Sequence, residues 1–435
     1  MTEQSRLSRW LTDNATDVQD DPNRPITAEG KQNGLLLLLV AICWGVLATG
    51  MLVGGSLIRK MPFEDVLWVT LVGNSITLLV GWLAGEIGYR TGLNTGLIFK
   101  EVYGRRGSIL PVCLLTVLIT GWHAVVVGAM GFAWAQQASG TAFVLGTIAG
   151  GALVTITTVI GIKSLEKLAV PKAVLLIGTG IYASILQLDT VGGFEAFLAL
   201  TRAQAAPTID YIGEINLVVG SWIVGAIVVA EYTRFARTRG IAMGIPFCAL
   251  MVAQWTVQIF GAIGVGTGGE YEFTAFLIAQ GALMGAIGLI TMLLSLWVSG
   301  SANLYFPGVQ VAAASGWPRR VVTLVIGAIG TIGAFGLYQH FEGFIGILGN
   351  IAPPIIGPVI CRYYLLGGFK SPAISEGGAP VSLPAIAAFC VGAAATFFTP
   401  PFILPALFGL LVSMAVYLVA MLATRRSRAT AGTEL

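Results

Sequence analysis

From residue 34 to residue 423 the chain alternates long apolar stretches with short polar turns. A helix needs about 20 mostly apolar residues to cross the hydrocarbon core of a bilayer. Twelve stretches meet that requirement, at 34–57, 66–87, 109–136, 141–162, 169–187, 214–234, 243–265, 277–303, 319–338, 343–365, 382–398 and 402–423. The pattern predicts an all-α polytopic membrane protein with 12 transmembrane helices, spans 1 to 12 in chain order. Residues 1–33 are polar, with Asp13, Asp17, Asp20, Asp21, Pro22 and Pro25, and read as a cytoplasmic tail. They lack the short apolar core and small-residue cleavage site of a signal peptide. Residues 424–435 read as a second, short cytoplasmic tail.

Composition agrees with a membrane chain. Of 435 residues, 56% are hydrophobic and 10% charged, where a soluble domain carries about 25% charge. The 57 glycines have no repeat period, and small residues let membrane helices approach closely. The longest loops, around 188–213 and 366–381, are too short for a packed domain, and no Gly-x-x-x-x-Gly-Lys-Ser/Thr phosphate loop is present. Any energy source is therefore an ion gradient. Cys43, Cys113, Cys248, Cys361 and Cys390 lie in or beside apolar stretches without close spacing, so they read as packing residues rather than a disulfide framework or metal site. The net charge of +3 does not suggest nucleic acid as a partner, and no cofactor is expected. Two histidines 217 residues apart, with few membrane carboxylates, offer no catalytic constellation.

Lys and Arg accumulate on the cytoplasmic side of membrane proteins. With the N-terminus inside, the cytoplasmic face receives four in the first tail and Arg90, Lys100, Arg105 and Arg106 in loop 2–3. It also receives Lys163, Lys167 and Lys172 in loop 4–5, Arg234, Arg237 and Arg239 after span 6, and Arg319 and Arg320 in loop 8–9. Arg362, Lys370 and three residues of the last tail bring the count to 21, against Arg59, Lys60 and Arg202 outside. The split supports 12 spans with both termini cytoplasmic, in a cytoplasmic (inner) membrane.

Spans 1 and 6 are rich in glycine, with Gly45, Gly50, Gly54 and Gly55 in one and Gly220 and Gly225 in the other. They open two five-span halves, 34–187 and 214–365, and an odd number of spans gives the halves opposite topology. Glycine-interrupted helices at matching places in inverted halves point to a transporter site, where unwound backbone frees carbonyls and amides. The competing reading of each glycine is tight packing. Glu231 and Glu86 lie near span ends, within helical reach of Arg234 and Arg90, and read as ion pairs there. Ser295, Ser299 and Asn303 share one face of span 8, and Thr116, Thr120 and His123 one face of span 3. Trp122 and Trp222 sit near mid-span rather than at the headgroup interface, where two aromatic faces can stack on a flat heterocycle.

Several runs carry a resemblance. Val72-Gly-Asn74 lies in span 2, and Gly88-Tyr-Arg-Thr-Gly-Leu-Asn-Thr95 and Gly104-Arg-Arg-Gly-Ser-Ile-Leu-Pro111 fill loop 2–3. Gly121-Trp122 lies in span 3, and Val219-Gly-Ser-Trp222 and Glu231-Tyr-Thr-Arg-Phe235 in span 6. Asn303-Leu-Tyr305 follows span 8, and Ala352-Pro-Pro-Ile-Ile-Gly357 lies in span 10. In this order and spacing the chain resembles the nucleobase–cation symporter family of purine and cytosine permeases, over about 34–420. The resemblance implies a five-plus-five inverted repeat with broken helices 1 and 6 and two further C-terminal helices, 382–423. It implies a nucleobase-like substrate held between spans 1, 3, 6 and 8, with Trp122 and Trp222 stacking on it. It also implies a sodium site built from Leu47 and Gly50 on span 1 and Ser295 and Ser299 on span 8.

The chain departs from that pattern. Val298 stands where the sodium site commonly has a hydroxyl, so one oxygen is missing and either sodium or a proton is the coupling ion. Ile119 replaces an amide on span 3, Val224 a hydroxyl on span 6, and Gly300-Ser-Ala302 a more polar run on span 8. The expected function is import of cytosine or a related heterocycle by cation symport with alternating access. The alternative is a weakly coupled or uncoupled facilitator for a small heterocycle such as a vitamin precursor. The candidate substrate-binding residues are Trp122, Trp222, Ser221, His123, Gly54, Ser301 and Asn303, and membrane lipid is the surrounding partner.

Overall fold

The computed structural model describes residues 25–32, 34–160, 163–315, 317–369 and 380–431, and these form helices joined by turns, with no strand among them. Most of the expected N-terminal tail, the last four residues of the C-terminal one, Lys370 and most of loop 10–11 lie outside the described residues. Among the described residues ten helices are long and apolar enough to cross a membrane, from Phe63–Thr91, which is span 2, to Pro405–Thr424, which is span 12. Span 1 is a bent pair, Gly34–Gly45 and Gly50–Ile58, set 49° apart. Span 11 is the shorter apolar helix Leu383–Phe398. The expected stretches are thus helical, while length and composition alone count ten or eleven crossings.

Local chemistry sets several of the ends. Asn94 accepts from the backbone N–H of Leu97 and starts the loop helix Thr95–Tyr103. Asp210 does the same with Gly213 at the start of span 6, as does Thr238 with Ile241 at the start of span 7. Gly92, at φ +69°, ends span 2 in the left-handed conformation that suits glycine.

The two limbs of span 1 lie on span 7 at backbone distance. A methyl group added at Gly45 would fall 2.0 Å from the carbonyl oxygen of Ala249, and one at Gly261 1.9 Å from that of Met51. Only glycine permits this approach. The packing reading therefore accounts for much of the glycine in span 1, and the break itself lies between, at residues 46–49. Elsewhere span 3 packs on spans 8 and 9, and span 6 on spans 2 and 10. Large apolar side chains such as Val117, Ile156, Ile332 and Val419 stay exposed on the outer faces, the surface a bilayer covers.

Two expectations need correction. Span 6 is not interrupted at Gly220 or Gly225. It runs unbroken over Tyr211–Ile227 and is interrupted at Val228 and Val229, before the short helix Ala230–Thr233. Gly220 instead admits span 10, since a methyl there would fall 2.1 Å from the Ile345 carbonyl oxygen. Lys172 is not a loop residue. Span 5 is a helix over Lys163–Thr190 that includes Pro171, and Lys172 inside it is 2% exposed.

A buried carboxyl, Glu272, lies in the turn after span 7 and accepts from the Thr274 N–H at 2.8 Å. Burial raises its pKa to about 7, against the opposing effect of the Thr274 bonds.

Two predictions follow from this packing. Gly261→Ala forces backbone apart and should destabilise the protein by about 1–3 kcal/mol. Gly336→Ala, with nothing within 4 Å of the added methyl, should change stability by no more than about 0.5 kcal/mol; thermal unfolding of the two purified variants compares them. Because the folded pKa of Glu272 is raised, its contribution is present below the unfolded carboxyl value and lost as pH climbs through about 7. Glu272→Gln should flatten that part of the stability–pH curve.

Candidate functional site

The break in span 1 organises what surrounds it. Residues 46 and 47 are irregular and 48 and 49 form a turn, with the Gly50 N–H donating to the Leu47 carbonyl at 2.8 Å. Just before the break, Trp44 lies between two aromatic rings. Its ring centroid is 4.5 Å from that of Trp222 on span 6 and 4.6 Å from that of Tyr232 beyond the interruption of span 6. Trp122 on span 3 packs on Phe341 and Phe344 of span 10, at 6.1 and 6.4 Å. Gly121 lets Phe344 lie against span 3, since a methyl there would sit 2.6 Å from its ring. Trp122 and Trp222 are both buried, and each has its own aromatic partners.

A second feature crosses the break. Lys172 Nζ donates to the Val46 carbonyl at 2.9 Å and to Ser299 Oγ of span 8 at 2.6 Å. It joins spans 5, 1 and 8 at the place where the sodium ligands were expected. Ser295, one turn before Ser299, is fully buried and its hydroxyl has no partner. Val298 is buried and offers only methyl groups.

The other expected site residues divide. Ser221, beside Trp222, donates to the Val218 carbonyl of its own helix at 2.6 Å and keeps its lone pairs. The Asn303 amide nitrogen is buried without a partner. Three residues lie at contacts between helices. A methyl on Gly54 would fall 1.7 Å from the Gln258 carbonyl oxygen, so Gly54 is a contact with span 7. His123 points onto Gly330 of span 9, beside the small apolar contact of Ala124 and Val127 with Ala334. Ser301 meets Thr157 of span 4, oxygen to oxygen, at 3.2 Å. Each was read from rarity or position along the sequence, and each makes a contact with a neighbouring helix.

Sequence reasoning missed three residues here. Trp44 was visible as an aromatic next to Gly45. Lys172 was visible as a cation inside an apolar stretch. Gln254 ends a π-helical segment of span 7, Cys248–Gln254, and both polar atoms of its side chain are buried without partners. Its amide lies 3.0 Å from where a Gly50 methyl would be. Buried unpaired amides are uncommon, and π-helical turns gather at functional places. The signal for Gln254 was the polar pair Gln254 and Gln258 in an apolar run.

Ionic contacts close the ends of the bundle. Glu86 accepts from Arg90 at 2.5 Å and from Arg239 at 2.9 Å. Glu231 accepts from the Thr95 N–H at 3.0 Å and lies 3.7 Å from Arg234. A cavity of about 1070 Å³ opens at this end, lined by Glu86, Arg90, Arg239, Tyr363, Tyr364 and Phe369 among others, and by neither Trp122 nor Trp222. At the opposite end Lys60, after span 1, bonds to Glu214 of span 6 and Glu342 of span 10, each at 2.8 Å. Burial works against its charge, but the two carboxylates outweigh it and hold the Lys60 pKa above the usual lysine value.

Comparison with known proteins extends the picture. A family model described as permease for cytosine/purines, uracil, thiamine, allantoin matches residues 25–412. The cytosine permease of Escherichia coli (strain K12) is 29% identical over 341 residues, 78% of this chain and 80% of that protein. Among solved structures, the inward-facing conformation of Mhp1 superposes with a TM-score of 0.81 at 18% identity, covering 94% of each chain. Mhp1, a nucleobase-cation-symport-1 family transporter, in a closed conformation with bromovinylhydantoin bound, gives 0.77 at 16% identity, covering 94% of this chain and 96% of that one. These likenesses establish the fold.

The Lys60 tie yields a prediction of its own. Lys60 is about one-third exposed, so Lys60→Gln should cost about 1 kcal/mol or less. The sign of its pKa means that the tie is intact below the usual lysine value and is lost only as pH rises through the higher folded one. The stability gap between wild type and variant should therefore stay constant around neutral pH and close in strong alkali, measured by thermal unfolding.

Proposed function

The chain belongs to the cytosine/purine permease family, and from that premise we propose that it is a secondary active symporter for a flat, nucleobase-like heterocycle. The observation that carries this reading is the pair of buried tryptophans, Trp222 leaning on Trp44 at the break of span 1 and Trp122 on span 3. A stacked base gains about 1–3 kcal/mol from an aromatic face. Ser221 beside Trp222, the unpaired amide of Asn303 and the unpaired amide of Gln254 at the break are the polar groups we assign to reading its edge. An aromatic wall with a few polar groups is how small-molecule sites select.

Alternating access fits a first span already hinged by 49°. It fits as well a fold that Mhp1 adopts both closed and inward-facing. We assign the coupling cation to the crevice between the break and span 8. We place the protein in the cytoplasmic membrane with both termini inside; moving Lys172 out of the loop count leaves 20 basic residues on that side against three. A second reading, an uncoupled facilitator, is favoured by Val298, which withholds an oxygen from the cation crevice. Accumulation of the heterocycle against its gradient, abolished by an ionophore, separates symport from facilitation.

The test is a thermal-shift screen of the purified protein with cytosine, uracil, purines, allantoin and hydantoins, since a ligand that binds only the folded state raises apparent stability. For a compound that binds, Trp222→Ala should weaken affinity at least about tenfold, equivalent to about 1.4 kcal/mol. Trp222→Phe should keep most of it because the ring face remains. Unchanged affinity in the alanine variant removes Trp222 from the site.

A further inference from the structure

The crevice between the break of span 1 and span 8 does not fit sodium as its residues stand. A hard cation takes several oxygen donors. Of those expected, Ser299 Oγ already accepts from Lys172 at 2.6 Å and the Leu47 carbonyl from the Gly50 N–H at 2.8 Å, which leaves the Ser295 hydroxyl as the side-chain oxygen without a partner. The Val46 carbonyl, the oxygen of the break that meets a cationic group, accepts from the same ammonium at 2.9 Å. The side chain of Val298 has no oxygen to give. A sodium ion on Ser299 and Val46 would stand in the place of the ammonium and repel it.

We propose that the ammonium of Lys172 is the resident cation of this crevice and that it excludes sodium. The inference rests on the reading of the crevice as the cation site. The ammonium does what a bound ion would do there. It ties an unwound carbonyl of span 1 to a hydroxyl of span 8, and it adds a covalent anchor to span 5. These contacts exist only while the three spans are apposed, so they favour the arrangement that brings them together.

The surroundings agree with a single tethered charge. The titratable group facing Lys172 from span 1 is the Cys43 thiol. The stretches of spans 7 and 8 and of the helix Thr274–Ala279 that pack against span 5 carry no Asp, Glu, Lys, Arg or His, and Tyr305 is their one phenol beyond Ser299. Lys167, Tyr182 and Asp189 share the helix of Lys172, as do Lys163 and Glu166 at its start, whose side chains lie outside the described residues. Glu195 and Arg202 lie on the surface helix Phe194–Gln204, which follows the other end of span 5, some 27 Å along the helix at 1.5 Å per residue. Among the described side chains of these elements no carboxylate is paired with the ammonium; the carbonyl dipole and the hydroxyl hold it.

The experiment measures thermal unfolding of the purified protein across a sodium series, with potassium keeping ionic strength constant. Wild type should unfold at the same temperature in both salts. Lys172→Ala combined with Val298→Thr frees the carbonyl and Ser299 and supplies the missing hydroxyl. It should start less stable, and sodium but not potassium should recover part of the loss, on the order of a few degrees. A merely structural lysine would not produce that ion-specific recovery. A saturable, sodium-specific rise in wild type overturns the proposal, as does a variant whose loss sodium leaves untouched. If the double variant does not fold, the wild-type series decides alone. Neither readout uses the transported compound, so absence of any thermal shift with the heterocycles counts against the substrate reading and not against this one.

Discussion

The unwinding of span 1 between Gly45 and Gly50 is the constraint on which the rest of the structure depends. Inside a membrane protein a backbone carbonyl that leaves its helix has no water to fall back on, so something in the protein must meet it. Here the Val46 carbonyl is met by a lysine reaching across from span 5. The bond costs a buried charge, which is expensive even near the end of a span. It offsets that cost by satisfying two polar groups at once and by fixing the point at which the first span bends.

The position of the bend is itself set by packing. Close contacts with span 7 hold the lower limb at Gly45 and the upper limb at Gly54, each against a main-chain carbonyl. A side chain at either position would push the limb off its neighbour. Because Gly45 is pinned, the residue before it, Trp44, stands at the edge of the break and receives Trp222. The aromatic wall of the candidate site therefore depends on glycine contacts made by the same span. The amide of Gln254 arrives by the same route, carried to Gly50 by a π-helical turn that span 7 makes where it passes the break.

Much of the architecture was legible because hydrophobic length is a direct physical requirement of the bilayer. Apolar runs of about 20 residues have few alternatives to a spanning helix, and the glycine cluster of span 1 marked the helix that breaks. Rotation about each helix axis was not legible. His123, Gly54 and Ser301 were chosen for residue type and height, which a linear pattern carries, but the face each presents depends on partners distant in the chain. His123 looks onto Gly330, 207 positions away. Tryptophan in mid-span is rare enough to need a specific neighbour, and Trp222 has one in Trp44. Glycine could not be placed, since the same residue serves a broken backbone and a close contact, and span 6 used Gly220 for the contact and broke at two valines instead.

Lys172 shows why counting charge by side of the membrane and reading charge by depth are different operations. Added to a loop total it strengthened an orientation that the remaining 20 residues support without it. Yet it lay within the stretch 169–187 already read as apolar, one residue after Pro171, and the helix that holds it begins well before that proline, at Lys163. Lys163 and Lys167 precede the apolar run and suit the interface, where a long side chain can reach polar headgroups. Lys172, within the run, has no such exit unless its helix rotates it toward water, and the structure turns it inward to the Val46 carbonyl at the break. An ionisable residue inside a span calls for a named partner before it is assigned to a loop. Here the partner was implied by the other anomaly in the sequence, a glycine-rich first helix that had to leave a carbonyl unpaired. The two irregularities explain one another: the broken helix supplies the acceptor, and the buried lysine supplies the charge that makes the break tolerable.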